Sequence, residues 1–417
     1  MTTTRTALTD VRVFDGARLT EPTTVVIDGT VIGDDATGAR TVDCGGATLL
    51  PGLFDAHVHL IFPDDLAKLA HHGITTALDM ACWPPQRVDS FRGRVPDIRS
   101  AGIPAIGPGG NHARMPGMPG EAALTDASQA KGFVAQRVAD GSDYIKVVIE
   151  DDLLDQATID AVISAGKAHG KLTVAHASSV DAYRRAVRAG ADVVTHVPRD
   201  GVLDSDTIAR MTEQGQVAVP TLAMMEAVIN GARPHGQDYA YSRDSVAALH
   251  AAGVPVLAGT DAFSGPAPIP DPVTHGPGLH HELVLLVDAG LTPAEALQAA
   301  TALPARHFGL HDRGAVRPGL RADLLLVDGD PLTDITATRR IKRIWAAGAD
   351  ITPRRLTPAR RPGPATAPGG GPWPSSPTTV KPPRSPAERG RSSAPPCRCR
   401  PRRGAPAVRR SASWRAR

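Results

Sequence analysis

Between residues 49 and 259, short apolar runs alternate with longer Ala-rich amphipathic stretches, and few folds can accommodate that alternation. The runs are Leu49–His57, Ile74–Asp79, Ile103–Gly107, Tyr144–Ile149, Leu172–His176, Val193–His196, Val217–Leu222 and Val254–Gly259. Each has the length of a strand buried on both faces. Between most of them lie helical segments such as Asp155–His169, Val180–Ala189 and Asp204–Gln214, several ending at glycine. Runs alternating with helices imply parallel βα units, and eight of them predict an α/β fold of the (β/α)8 TIM-like barrel type over residues 51–310. A doubly wound open sheet is the alternative. It would carry fewer strands and a Gly-rich first turn, which is absent after Leu50.

The two ends of the chain read differently. Val11–Phe14 and Val25–Ile27 are β-rich and set among Gly, Asp and Pro; Ala322–Val327 and Ile341–Trp345 return to strand character. Residues 1–50 and 311–350 are therefore expected to build a small β-sandwich domain from both chain ends, with a helix over Thr292–Phe308. Residues 351–417 hold 16 Lys and Arg, the single acid Glu388 and 15 of the 38 prolines, so the +3 net charge conceals an acidic body and a basic tail. That tail is expected to be disordered. It is either an arm for nucleic acid or an acidic surface, or a segment with no selected function; the abrupt change in composition favours the second, so no nucleic-acid partner is expected.

No uninterrupted run of about 18 apolar residues exists, which excludes a spanning helix. Four cysteines, Cys44, Cys82, Cys397 and Cys399, are too few for a disulfide scaffold. With no apolar h-region in Met1–Asp10, a reduced, cytoplasmic protein is expected.

In a barrel of this kind the chemistry lies at the C-terminal ends of the strands. The first run finishes Asp55-Ala-His57-Val-His59, and residues i and i+2 of a strand share a face, so both imidazoles can reach one ion. Lys146 lies inside the fourth run, where a buried ammonium is costly unless paired or chemically altered. His176 and His196 end the fifth and sixth runs, and Gly259-Thr-Asp261 follows the eighth. Taken singly, each has a bland explanation as a core histidine, an exposed residue or a helix cap. Four histidines, a lysine and an aspartate over five strand ends do not coincide readily.

These residues resemble the amidohydrolase superfamily. Leu50-Pro-Gly-Leu-Phe-Asp-Ala-His-Val-His59, Lys146, His176, His196 and Gly-Thr-Asp261 follow its order. Gly314-Ala-Val-Arg-Pro-Gly-Leu-Arg-Ala-Asp-Leu324 and Asp328-Gly-Asp-Pro331 are also similar. The spacing is closest to the imidazolonepropionase-like branch, which includes metal-dependent dipeptidases, and the resemblance covers residues 7–350 but not the tail. It implies that His57, His59 and Asp261 bind one divalent metal and that His176 and His196 bind a second. Lys146, carboxylated by carbon dioxide, would bridge the ions as a carbamate. One or two ions, zinc first among them, are expected.

The implied reaction is hydrolysis of an amide, lactam or related C–N bond by metal-activated water, with Asp261 moving the proton. Substrate selection is expected in the loops. In Gly109-Gly-Asn-His-Ala-Arg-Met-Pro-Gly117, His112 is a candidate to polarise the carbonyl and Arg114 to bind a carboxylate. Relatives place Gly-His where this chain has Asn111-His112. Arg199, three residues past His196, is a second anion-binding candidate. The expected partner is a small molecule, with a homo-oligomer possible. Two other readings are a nucleobase-type deaminase and a non-catalytic scaffold of the same fold. Deaminases of the superfamily lack the strand-four lysine and carry His-x-x-Glu, whereas His176 precedes Ala-Ser-Ser179; scaffold relatives lose ligands that this chain keeps.

Overall fold

The computed structural model describes residues 5–232, 234–265 and 271–353. The basic tail from residue 354 lies outside the described residues, so the disorder expected of it is not addressed. The chain opens with β1 (Thr6–Val13), β2 (Thr23–Asp28), β3 (Val31–Gly33) and the twelve-residue β4 (Arg40–Pro51). In β1 the register shifts between Leu8 and Val11, a bulge centred on Asp10, whose φ is 51°.

Eight parallel segments follow. Their strands are β5 (Leu53–His59), β6 (Ile74–Asp79), β7 (Asp97–Ser100), β8 (Ile145–Val148), β9 (Thr173–His176), β10 (Val193–Thr195), β11 (Val217–Val219) and β12 (Ala262–Phe263). The chain then returns through β13 (Leu324–Val327), β14 (Ile341–Ala346) and β15 (Ala349–Asp350).

Strands from both ends pair in one seven-stranded mixed sheet, ordered β15-β14-β13-β4-β1-β2-β3. It has its own apolar core, in which Leu8, Val11, Leu49, Leu324 and Trp345 meet. Gly52 is the joint between this sheet and β5. Its N–H donates to the Asp323 carbonyl at 2.7 Å, and a β-carbon there would lie 2.2 Å from Thr75 Oγ1.

The parallel segments fall into two four-stranded sheets, β8 to β11 and β12-β5-β6-β7. Parallel bridges continue the pairing beyond them. Ala105, just after β7, pairs with Val147 of β8, and Val256 pairs with Ala218 of β11. The Ala56 N–H of β5 donates to the Ala258 carbonyl at 2.9 Å. Four expectations need correction. The first run, Leu49–His57, is divided at Gly52 between β4 and β5, and the eighth strand is Ala262–Phe263, just past the run Val254–Gly259, in which Val256 forms a bridge. The third strand is Asp97–Ser100, not the run Ile103–Gly107, and only Ile98 and Ser100 of it are buried; its polar positions hide it from an apolar scan. The helix expected over Thr292–Phe308 is two, Pro293–Ala299 and Ala302–His307. Pro304 lacks an N–H and its ring would clash with the carbonyl of residue 300, so the chain breaks at Thr301.

The outer helices form where their caps dictate. Asp155, Ser179 and Asp204 accept the N–H groups of Thr158, Ala182 and Thr207, satisfying the open first turns of Gln156–Ala168, Val180–Ala189 and Ser205–Gln214. Gly190 and Gly215 end the latter two in the left-handed conformation. Among the described residues no helix is long and apolar enough to cross a membrane.

Candidate metal centre

β5 carries His57 and His59 two residues apart, and both turn to Asp261. His57 Nε2 and His59 Nε2 lie 3.3 and 3.0 Å from Asp261 Oδ1, and His196 Nδ1 lies 3.8 Å from Oδ2. The donor atoms of His57, His59 and Asp261 all lie within 4.8 Å of one another. Asp261 is held in the left-handed region, with φ of 57°. Such a conformation costs on the order of 1–3 kcal/mol in a non-glycine residue and persists only where its surroundings fix it. Here its N–H donates to the His57 carbonyl at 2.7 Å, and Asp55 anchors the preceding Thr260 through both N–H and hydroxyl.

The second half of the cluster stands beside the first. His196 Nε2 is 2.9 Å from His176 Nδ1, and the His57 and His196 rings are 4.8 Å apart. Hydroxyls orient two of the rings: Thr195 Oγ1 meets His57 Nδ1 at 2.8 Å, and Thr221 Oγ1 meets His196 Nδ1 at 2.5 Å. Thr221, like Asp261, has a positive φ, 50°. Lys146 of β8 is 3% exposed and faces the same cavity.

Burial sets the protonation states. It pushes His57 and His176 well below the usual imidazole range and His196 to about 3, even with Asp261 beside it. These rings are neutral and keep a lone pair. Burial also brings Lys146 down to about 7, against the pull of Asp261 and Asp79. For Asp261 burial opposes the charge, but the histidines around it, with His59 Nε2 at 3.0 Å, keep its carboxyl well below the usual carboxylate range.

This arrangement fits a divalent cation. The buried His57 Nε2 finds no hydrogen-bond partner among the described residues, although the Asp261 carboxylate is 3.3 Å away. Neutral imidazole lone pairs gathered around an anion repel one another in a dry site, and an N/O-binding cation reverses that repulsion.

The cavity above the cluster measures about 340 Å³ and is lined by His57, His59, Lys146, His176, His196, Asp261, His112 and Arg199. His112 is held from behind by Glu150. One Glu150 oxygen accepts the Asn111 N–H at 2.8 Å, and the other lies 3.1 Å from His112 Nδ1, leaving Nε2 as the open ring nitrogen. Burial would raise the Glu150 carboxyl, but its bond to His112 dominates and takes it to about 2. Arg114 is placed otherwise than expected. It is exposed, does not line the cavity, and donates to the Gly109 carbonyl at 2.6 Å and to Asn111 Oδ1 at 3.3 Å within its own loop.

Four positioning groups escaped the sequence reading: Glu150, Thr195, Thr221 and Asp79. All four sit at or within two residues of strand ends, where the rule that found the histidines also applies. Asp79 ends β6 and accepts the Leu60 N–H at 2.9 Å, but nothing local distinguishes it from a core carboxylate.

The amidohydrolase family model matches residues 48–349. The chain belongs to the amidohydrolase family. An uncharacterised protein of Mycobacterium tuberculosis is 33% identical over 345 residues, covering 73% of this chain and 85% of that one. An adenine deaminase of Bacillus subtilis is 24% identical over 339 residues, covering 75% of this chain and 52% of its own length. An imidazolonepropionase of Deinococcus deserti is 29% identical over 217 residues, 50% of this chain and 48% of that protein. Among solved structures, a prolidase-like protein from Bifidobacterium longum superposes with a TM-score of 0.70 at 25% identity, covering 85% of this amidohydrolase and 97% of that chain. A Xaa-Pro dipeptidase with bound methionine gives 0.71 at 22% identity, covering 84% and 100%, a likeness of fold. The family and branch read from the sequence motifs are thus matched.

Proposed function

We propose that this amidohydrolase is a metal-dependent hydrolase of a C–N bond in a small molecule: a dipeptide, an N-acyl amino acid or a cyclic amide. The observation that carries the reading is the cluster of imidazoles around Asp261, with the buried, partnerless His57 Nε2 at its centre. His57, His59 and Asp261 would hold one ion, and His176 and His196 a second. Bound there, zinc or a similar ion supplies Lewis acidity toward a carbonyl oxygen and acidifies water. Lys146 would serve both ions: its amine nitrogen would add to the carbon of carbon dioxide and release a proton, and the resulting carbamate, an anion, would resolve the burial of the lysine. Around it, the eight parallel segments form a closed (β/α)8 barrel, and the strands of both chain ends form a small β domain that is one seven-stranded sheet rather than the expected sandwich.

The residues of the chain divide the remaining work. Asp261 takes a proton from water and returns it to the leaving nitrogen. His112, oriented by Glu150, presents Nε2 to the carbonyl oxygen. Arg199 receives an anionic group of the substrate. Arg114 has no part in this reading, because its guanidinium is engaged in its own loop.

A second reading, nucleobase deamination, rests on the likeness to adenine deaminases. Lys146 and the Ala-Ser-Ser179 sequence after His176 weigh against it. The test is amine release from panels of dipeptides, N-acyl amino acids and lactams, alongside ammonia release from adenine. Turnover that is abolished by a chelator, restored by zinc or manganese and lost in His57→Ala supports the hydrolase. Turnover indifferent to chelator and to His57→Ala contradicts it.

A further inference from the structure

Five of the seven methionines in the chain line the cavity above the cluster: Met80, Met115, Met118, Met224 and Met225. They arrive from three separate places, namely the residue after β6, the loop that carries His112, and the first turn of the helix Leu222–Ala232. Methionine is unbranched, has three rotatable side-chain bonds and carries a polarisable sulfur, so a surface made of it fits apolar groups of differing shape. A wall of branched or aromatic residues would select one shape.

Arg199 stands out against this wall. Its Nε is buried without a hydrogen-bond partner, and its Nη2 reaches only Ser178 Oγ, at 3.4 Å. Among the described residues no carboxylate lies within ion-pair distance of it. A half-buried guanidinium with no carboxylate at ion-pair distance is costly to hold, and its planar fork matches a carboxylate. Burial also pulls its pKa down from the usual value, with Asp200 opposing. Asp200 offsets only part of the cost of taking this half-buried charge out of water, and an anionic ligand would offset more of it.

Building on the hydrolase reading above, we propose that the cavity selects a monoanionic, amphiphilic substrate, with its carboxylate on Arg199 and a bulky apolar group of variable shape on the methionine wall. Of the candidate substrates, this favours N-acyl amino acids carrying a large apolar group over dipeptides, whose free amine makes them zwitterions. Neutral lactams and small polar amides are disfavoured.

The test is equilibrium binding by calorimetry on the full chain, using ligands with no C–N bond to cleave. 4-Phenylbutyrate is compared with 4-phenylbutanol, which lacks the charge, with butyrate, which lacks the apolar arm, and with 4-cyclohexylbutyrate, whose arm differs in shape. The acid is expected to bind about tenfold or more tighter than the alcohol, the margin of a charged hydrogen bond. Butyrate is expected to bind more weakly, and the cyclohexyl acid within a few-fold. Arg199→Gln should erase the preference for acid over alcohol, and Arg199→Lys should restore part of it. Met224→Ala combined with Met115→Ala should shrink the advantage of 4-phenylbutyrate over butyrate.

Equal binding of acid and alcohol, or no binding by any of the four, overturns the proposal. So does an acid preference that survives Arg199→Gln, since the carboxylate would then sit on the metal cluster. The calorimetry involves no turnover, so the two readings fail separately. If the hydrolase reading is wrong, metal uptake and hydrolysis are missing while the Arg199-dependent preference remains. If this inference is wrong, metal-dependent hydrolysis remains without that preference.

Discussion

The floor and the wall of the cavity are held in place by different means. The floor is made of His57, His59, Lys146, His176, His196 and Asp261, all on strands or within two residues of one, and backbone pairing fixes where they start. Val148 beside Lys146 pairs with His176, and His176 pairs with Thr195, the neighbour of His196. Hydroxyls and backbone then fix where their side chains point. The wall consists mainly of loop and helix residues with unbranched thioether side chains, and among them His112 is tied down by Glu150. The contrast matches the two demands of the proposed function: metal ligation would tolerate displacements of only about 0.5 Å, which strand register can supply, whereas accepting varied apolar groups would call for adaptable side chains.

The sharpest way to break the comparison is to disturb the floor through its backbone. A β-carbon on Gly259 would lie 2.6 Å from Val219 Cγ1 and 2.9 Å from both Cβ and N of His57. Gly259→Ala should therefore displace His57. The expected result is loss of metal binding by more than about 100-fold and a stability cost of about 1–3 kcal/mol, read by metal titration and thermal melting. The next effect acts on orientation alone. Thr195→Val and Thr221→Val keep side-chain volume but remove the hydroxyls that aim His57 and His196, and each should weaken metal affinity about 10–100-fold with little change in fold.

Glu150→Gln acts on the wall. It should reduce kcat/KM about tenfold, less than the roughly 10²–10⁴-fold of a lost acid–base group, while metal content stays at the wild-type value. Loss of metal in that variant would erase the distinction between floor and wall.

The smallest effect is a pH dependence beneath the wall. Glu282 is fully buried, accepts the Leu222 and Ala223 N–H groups at 3.0 and 2.7 Å, and so supports the helix bearing Met224 and Met225. Burial raises its carboxyl to about 8, against those two bonds. The folded chain then keeps a proton that the unfolded chain releases near the ordinary glutamate value of about 4.3. Stability from this group is complete below that value and declines as pH rises toward about 8. Glu282→Gln should flatten the fall in unfolding free energy across that window, measured by denaturant titration at several pH values.

Much of the floor was legible in the sequence, because strand periodicity and the i, i+2 rule are local. The caps Asp155, Ser179 and Asp204 and the stop at Gly190 are local too, and three helices lie within a residue of their expected bounds. β7 was not legible, since Asp97 and Arg99 serve ion pairs with Arg313 and Asp143 far along the chain. The wall was not legible either. Five methionines scattered from residue 80 to residue 225 carry no common pattern until the fold brings them together. Arg114 shows the same limit, since nothing in its loop sequence indicates that its guanidinium turns back onto Gly109 and Asn111.

The central claim is that the floor holds divalent metal, and the direct measurement is metal content per folded chain, by elemental analysis of protein purified without chelator and supplied with bicarbonate. The account predicts about one to two equivalents of a transition metal, lost in His57→Ala and reduced in Lys146→Ala while circular dichroism shows both variants folded. A folded wild-type chain that carries no metal, and takes up none when zinc or manganese is added, would contradict it.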